Sequence, residues 1–122
     1  MGENATANLF LRVIFNNDAM LGPGKADLLE HIRETGSISA AGRRMGMSYK
    51  RAWTLVETMN TIFEEPLVDS VRGGPSGGGA RLTAEGERVL AHYRSLQGRA
   101  YEAAQEDIAA IESMLKDVSG GK

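Results

Sequence analysis

Residues 36–60, GSISAAGRRMGMSYKRAWTLVETMN, leave little freedom in how they fold. Ser37 has the side chain to cap a helix, its hydroxyl accepting from a backbone N–H that has no intrahelical partner. Ala41 and Met45 follow four apart on one face, and Gly42 brings no bulk to hold a neighbouring helix away. Gly46 can take the left-handed conformation that ends a helix cheaply. Ser48 offers a second cap, after which Ala52, Leu55, Val56, Met59 and Phe63 form a stripe at helical spacing. Small residue, glycine, tight turn and apolar stripe are what two helices need to cross closely.

The charges of this block are one-sided. Arg43, Arg44, Lys50 and Arg51 precede the first carboxylate, Glu57. A plain helical hairpin would need no such bias. Groove entry does, so the layout predicts a helix-turn-helix that offers its second helix to double-stranded DNA. The net charge of −2 argues weakly against nucleic acid, but its distribution matters more. Residues 36–82 carry six basic and four acidic groups, while residues 1–34 carry three and five, and residues 84–122 five and seven.

Around the pair, a few elements complete the chain. Residues 8–15, NLFLRVIF, are apolar, β-branched and aromatic, and Asn16-Asn17-Asp18 stops them; they predict a strand, with a hairpin as an option. Leu28, Leu29 and Ile32 predict a helix over Lys25–Thr35 closed by Gly36. After Pro66, residues 67–72 and 80–82 read as two short strands around the tip Gly73–Gly79, flanked by Arg72 and Arg81. Thr83 caps a last helix running to about Leu115. The expected fold class is α+β, mostly helical: a winged helix-turn-helix with an N-terminal strand and a long C-terminal dimerisation helix. Residues 1–82 form the DNA-binding part and residues 83–122 the dimerisation helix and tail, as one structural unit. A chain of 122 residues suffices for one such core.

Other chemistries find little footing. The glycine-rich tip lacks the Lys and Ser/Thr of a nucleotide-binding P-loop. His31 and His92 have no second ligand at helical spacing, and the carboxylates at Glu64-Glu65, Glu85/Glu87 and Glu102/Glu106/Asp107 read as solvated faces. The chain is therefore not expected to be an enzyme or to hold a metal. It has no cysteine, no long apolar run and no signal-like N-terminus, which predicts a cytoplasmic protein without a membrane partner.

A wheel at about 100° per residue places Lys50, Thr54 and Glu57 opposite the buried centre of the second helix. Arg51 occupies one shoulder, Tyr49 and Trp53 the other, with Trp53 assigned to the core rim ahead of DNA contact. Base-reading side chains come from the first turns of such a helix. The expected DNA-binding set is Ser48, Tyr49, Lys50, Arg51 and Thr54, with Tyr49, Lys50 and Thr54 at base edges or nearby phosphates and Arg51 on the backbone; Arg72 and Arg81 of the wing are expected at phosphates, and Arg43 and Arg44 either at phosphates or in plain solvent. In the last helix Val89, Tyr93, Leu96, Ala100, Ala104, Ile108, Ile111 and Leu115 recur at threes and fours. The winged core is too small to cover that stripe, so residues from Tyr93 to Leu115 are expected to meet a second copy in a homodimer, with Gly98 and the alanines permitting close approach. A protein-interaction module, an adaptor or anti-repressor without DNA contact, remains the alternative, and an oxyanion sensor built from arginines at the dimer interface a third option.

Three phrases carry a family resemblance over about residues 9–97: GPGKADLLEHI, GSISAAGRRMGMSYKRAW, and the glycine-rich wing leading into RLTAEGERVL. They resemble the N-terminal DNA-binding domain of the ModE family of molybdate-responsive regulators, and LTAEG is also similar to LysR-type regulators. The resemblance implies a dimeric regulator, a recognition helix starting at Ser48, a palindromic operator and a role in molybdenum homeostasis. The full-length family protein continues into molybdate-binding domains, whereas nothing after the last helix here builds an oxyanion cage. No cofactor is expected; molybdate sensing rests on the resemblance alone and any effector is unassigned.

Overall fold

In a computed structural model the structure describes residues 7–16, 19–71 and 79–116. Strand β1 (Val13–Ile14) pairs antiparallel with β2 (Met20–Leu21), Val13 opposite Leu21. The strand expected over residues 8–15 is thus confined to its last third. Its partner has two residues before Gly22 and Pro23 turn the chain into a helix, so there is nothing further to pair with. The carbonyl of Leu11 is satisfied instead by the Tyr93 hydroxyl, which donates at 2.6 Å.

Helix α1 (Pro23–Thr35) starts two residues before the expected Lys25 because Pro23 fits the first helical turn, where its missing N–H costs nothing. It ends as expected at Gly36, in the left-handed conformation, whose N–H bonds to the Ile32 carbonyl at 2.8 Å. Helix α2 (Ile38–Arg44) and helix α3 (Tyr49–Ile62) follow, each with its serine cap: Ser37 accepts from Ala40 N and Ser48 from Arg51 N. Between them Gly46 has φ +70°, a value that a residue with a Cβ rarely adopts. A Cβ on Gly42 would stand 3.0 Å from that of Ala52, so the glycine is what lets α2 and α3 approach.

Strands β3 (Val68–Val71) and β4 (Gly79–Leu82) form an antiparallel hairpin with Asp69 opposite Arg81. The tip and Arg72 lie outside the described residues. The hairpin is moored on two sides. Ala80 N–H bonds to the Gly36 carbonyl at 2.9 Å, and the amide of Asn60 on α3 grips the peptides of Leu67 and Val68, accepting from both N–H groups at 2.8 and 3.1 Å and donating to the Val68 carbonyl at 3.1 Å.

Helix α4 (Ala84–Ala103) begins at Thr83, whose hydroxyl oxygen accepts from Gly86 N at 2.9 Å and donates its proton to the Pro66 carbonyl. The single helix expected as far as Leu115 is interrupted at Ala104, where φ is −94° and ψ 0°; helix α5 (Gln105–Glu112) continues beyond it. The Ala104 N–H is shared between the carbonyls of Ala100 and Tyr101, a locally tightened turn. Nothing in the alanines at 103 and 104, strong helix formers, explains the break.

One core joins these elements. Leu28, Leu29 and Ile32 of α1, Val56 and Met59 of α3, Leu67, Leu82, and Leu90 and Tyr93 of α4 are all buried in it. Tyr93 was expected at a dimer interface; at 1% exposure within one chain it belongs to this core, with Leu96 half-buried against it. Burial raises the Tyr93 hydroxyl pKa above its usual value, against the pull of neighbouring Arg94 and with a further push from Asp27. Arg94 itself donates to Asp27 at 2.8 Å and Glu30 at 2.7 Å; burial pulls its pKa down, but those two carboxylates more than offset this, and it stays cationic.

Candidate nucleic-acid interface

The surface of α3 follows from its amphipathic sequence. Ala52, Val56 and Met59 are buried, which turns Lys50, Thr54, Glu57, Thr58 and Thr61 outward, and all five are exposed. Tyr49 and Arg51 are exposed on the flanks. The expected base-reading residues therefore share one open ridge beginning at the Ser48 cap. Trp53 is 39% exposed, at the border between the core rim and the open surface. One turn from exposed Tyr49, it adds an aromatic shoulder to the ridge.

The arginines do not behave alike. Arg43 is exposed and donates to the Ser39 hydroxyl at 3.0 Å, which steadies it along α2 with its charge open. Arg44 donates to Glu34 on α1 at 2.7 Å and lies 3.4 Å from His31 Nδ1. Sequence spacing of ten residues gave no reason to pair Arg44 with Glu34, and the pair is half exposed. Arg81 is exposed on the wing but has Asp69 as its cross-strand neighbour, which tempers its field. Arg72 lies outside the described residues. Among the described residues of α2 and α3, the open positive charges are those of Arg43, Lys50 and Arg51.

Sequence reasoning missed two groups here. Extending the wheel by one turn would have found Thr58 and Thr61. Asn60 gave no such signal, since its bonds run to a strand whose position only the fold decides. Among the described residues no cluster of His, Asp and Glu is arranged to hold a metal ion, and no helix is long and apolar enough to cross a membrane.

A short capped helix, a glycine turn, a second helix standing proud of the core, and a hairpin moored beside it make up the winged form of the helix-turn-helix, the class of fold that bacterial transcription regulators use against DNA. Residues 25–87 match the family described as bacterial regulatory helix-turn-helix protein, lysR family, and the chain belongs to it. It is also similar to proteins named ModE. It shares 36% identity with the transcriptional regulator ModE of Yersinia pestis over 93% of this chain and 44% of that protein. Identity is 40% with the molybdenum transport protein ModE of Azotobacter vinelandii, over 95% and 43%, and 34% with the DNA-binding transcriptional dual regulator ModE of Escherichia coli K12, over 93% and 45%. The chain thus spans less than half the length of these relatives. The fold alone is shared with a chain of the solved structure titled "Crystal structure of CbnR_DBD-DNA complex", at a TM-score of 0.57 and 20% identity over 72% of this chain and 95% of that one.

Proposed function

We propose that this protein is a sequence-specific regulator of transcription that binds double-stranded DNA directly through α3, works in the cytoplasm, and controls genes of molybdenum handling, a role its similarity to ModE-named proteins supports. The observation that carries the reading is the open ridge of α3: Tyr49, Lys50, Arg51 and Thr54 are exposed together, and Lys50 and Arg51 have no carboxylate before Glu57 on that helix. Lys50 is placed to reach guanine acceptors in the major groove, and Arg43 to meet a phosphate. Titration of a selected duplex and a scrambled one at several salt concentrations separates these roles. Lys50→Ala is expected to weaken the selected duplex by about 1–3 kcal/mol and the scrambled one much less. Arg43→Ala weakens both alike and lowers the salt slope by about one, whereas Arg44→Ala, whose charge is already paired, changes the slope less. Equal losses for all three variants on both duplexes would overturn the assignment.

The same reading takes a homodimer on a palindromic operator. Its support is the apolar surface that the chain leaves uncovered beyond the winged core: Ile111, Met114 and Leu115 are exposed, Leu115 at 67%, in line with half-buried Ala100, Ala104 and Ile108. Two copies joined there would set their α3 helices against one DNA face, and half-site spacing would follow from the dimer's symmetry. Sedimentation at micromolar concentration is expected to give twice the chain mass; a lone 13.1 kDa species would refute it. The reading assigns the chain no cofactor of its own, and a molybdate-dependent rise in melting temperature would overturn that.

A further inference from the structure

The outward face of α3 carries three exposed threonines whose hydroxyl protons are all engaged within the helix. Thr54 donates to the Lys50 carbonyl at 2.9 Å, Thr58 to the Thr54 carbonyl at 3.0 Å and Thr61 to the Glu57 carbonyl at 2.8 Å. A threonine so held has no donor left for a base edge. It offers a methyl group and an oxygen lone pair. Thr54 lies in the first half of the helix, where base readout is concentrated, Thr58 one turn further on in its second half, and Thr61 near its C-terminal end.

The four base pairs differ in what they return to such a side chain. Guanine shows only acceptors in the major groove, and cytosine a donor without a methyl. An A·T pair shows the thymine 5-methyl at one edge of the groove, with the thymine O4 between it and the adenine amino group. We propose that Thr54 and Thr58 are specificity-determining residues that select A·T pairs by packing their methyls on thymine 5-methyl groups. The proposal rests on the reading of α3 as the DNA-contacting helix and adds to it the chemistry of the selected base. Lys50, one turn before Thr54 on the same ridge, supplies the donor that the threonines lack.

The test uses the duplex enriched from a random pool, with deoxyuridine replacing each thymidine in turn, so that one methyl is removed and every hydrogen-bonding group is kept. Wild-type protein is expected to lose affinity about fourfold at a thymine touched by Thr54 or Thr58, the worth of one buried methyl. Thr54→Ser and Thr58→Ser, which keep the hydroxyl, should show that loss on the thymidine duplex and no further loss with deoxyuridine. Thr54→Val and Thr58→Val, which keep a methyl, should keep the discrimination between thymidine and deoxyuridine and lose less affinity than the serine variants. Both sites are exposed, so the fold is not at stake. Unchanged wild-type affinity with deoxyuridine at every position would overturn the proposal, as would valine variants that lose as much as the serine variants. A wild-type protein that binds no duplex in low salt would instead remove the underlying reading, and that result is seen before any deoxyuridine is placed.

Discussion

Gly86→Ala is expected to lower the melting temperature by on the order of 10 °C. A Cβ at that position would lie 2.2 Å from the Leu67 carbonyl oxygen and 3.1 Å from its carbon, both backbone atoms. No flexible side chain is there to swing aside, so either α4 or the strand entry must move. The Leu67 oxygen also accepts from the Thr83 N–H at 2.9 Å, and a shift large enough to admit a methyl strains that bond too. Overpacking of a tight contact costs about 1–3 kcal/mol or more, against which alanine returns about 1 kcal/mol of helix propensity. The contact wins because it involves backbone on both sides. Gly98→Ala is the matched control: nothing lies within 4 Å of a Cβ there, so the propensity gain stands alone and the isolated chain should be stabilised. A calorimetric scan of the two variants checks both signs. Equal behaviour of Gly86→Ala and Gly98→Ala would show that the close approach of α4 to residue 67 is not a constraint.

What the sequence made legible was whatever depends on near neighbours. The two serine caps, the helix end at Gly36, the left-handed Gly46 and the close approach at Gly42 are all local chemistry, and each stands in the structure as expected. The α3 ridge was equally legible, since the burial of Ala52, Val56 and Met59 follows from spacing and forces Lys50 and Thr54 outward. Contacts between distant residues were not. Arg44 finds Glu34, Tyr93 finds Leu11 eighty-two residues away, and the end of β1 is set by where α1 begins. An amphipathic stripe states that a face is covered, not by what. For that reason the single stripe read from Val89 to Leu115 divides in the structure: Leu90 and Tyr93 enter the chain's own core, and only residues past the break at Ala104 leave large apolar side chains open.

Asn60→Ala is expected to cost about 3 kcal/mol and to loosen the wing from the recognition helix. The Asn60 side chain accepts from the N–H groups of Leu67 and Val68 and donates to the Val68 carbonyl, so one amide does for the strand entry what a neighbouring strand would otherwise do. Leu67 and Val68 are buried, and water has little access to replace those partners. Each backbone group left without a hydrogen bond costs about 1–3 kcal/mol, while alanine returns only a few tenths in helix propensity. Asn60→Asp separates the parts: it keeps the acceptor for both N–H groups and loses the donor, setting a carboxylate oxygen against the Val68 carbonyl. Its loss should fall short of the alanine variant's. Amide exchange gives the local readout, with the Leu67 and Val68 protons expected to lose protection in Asn60→Ala while Ala52 and Val56 keep theirs under conditions where the fold persists. Because β3 is held to α3 at this point, the same variant should shift the wing while leaving the α3 ridge intact. Full protection at Leu67 with an unchanged melting temperature would show that the hairpin is held by β4 and Gly36 alone.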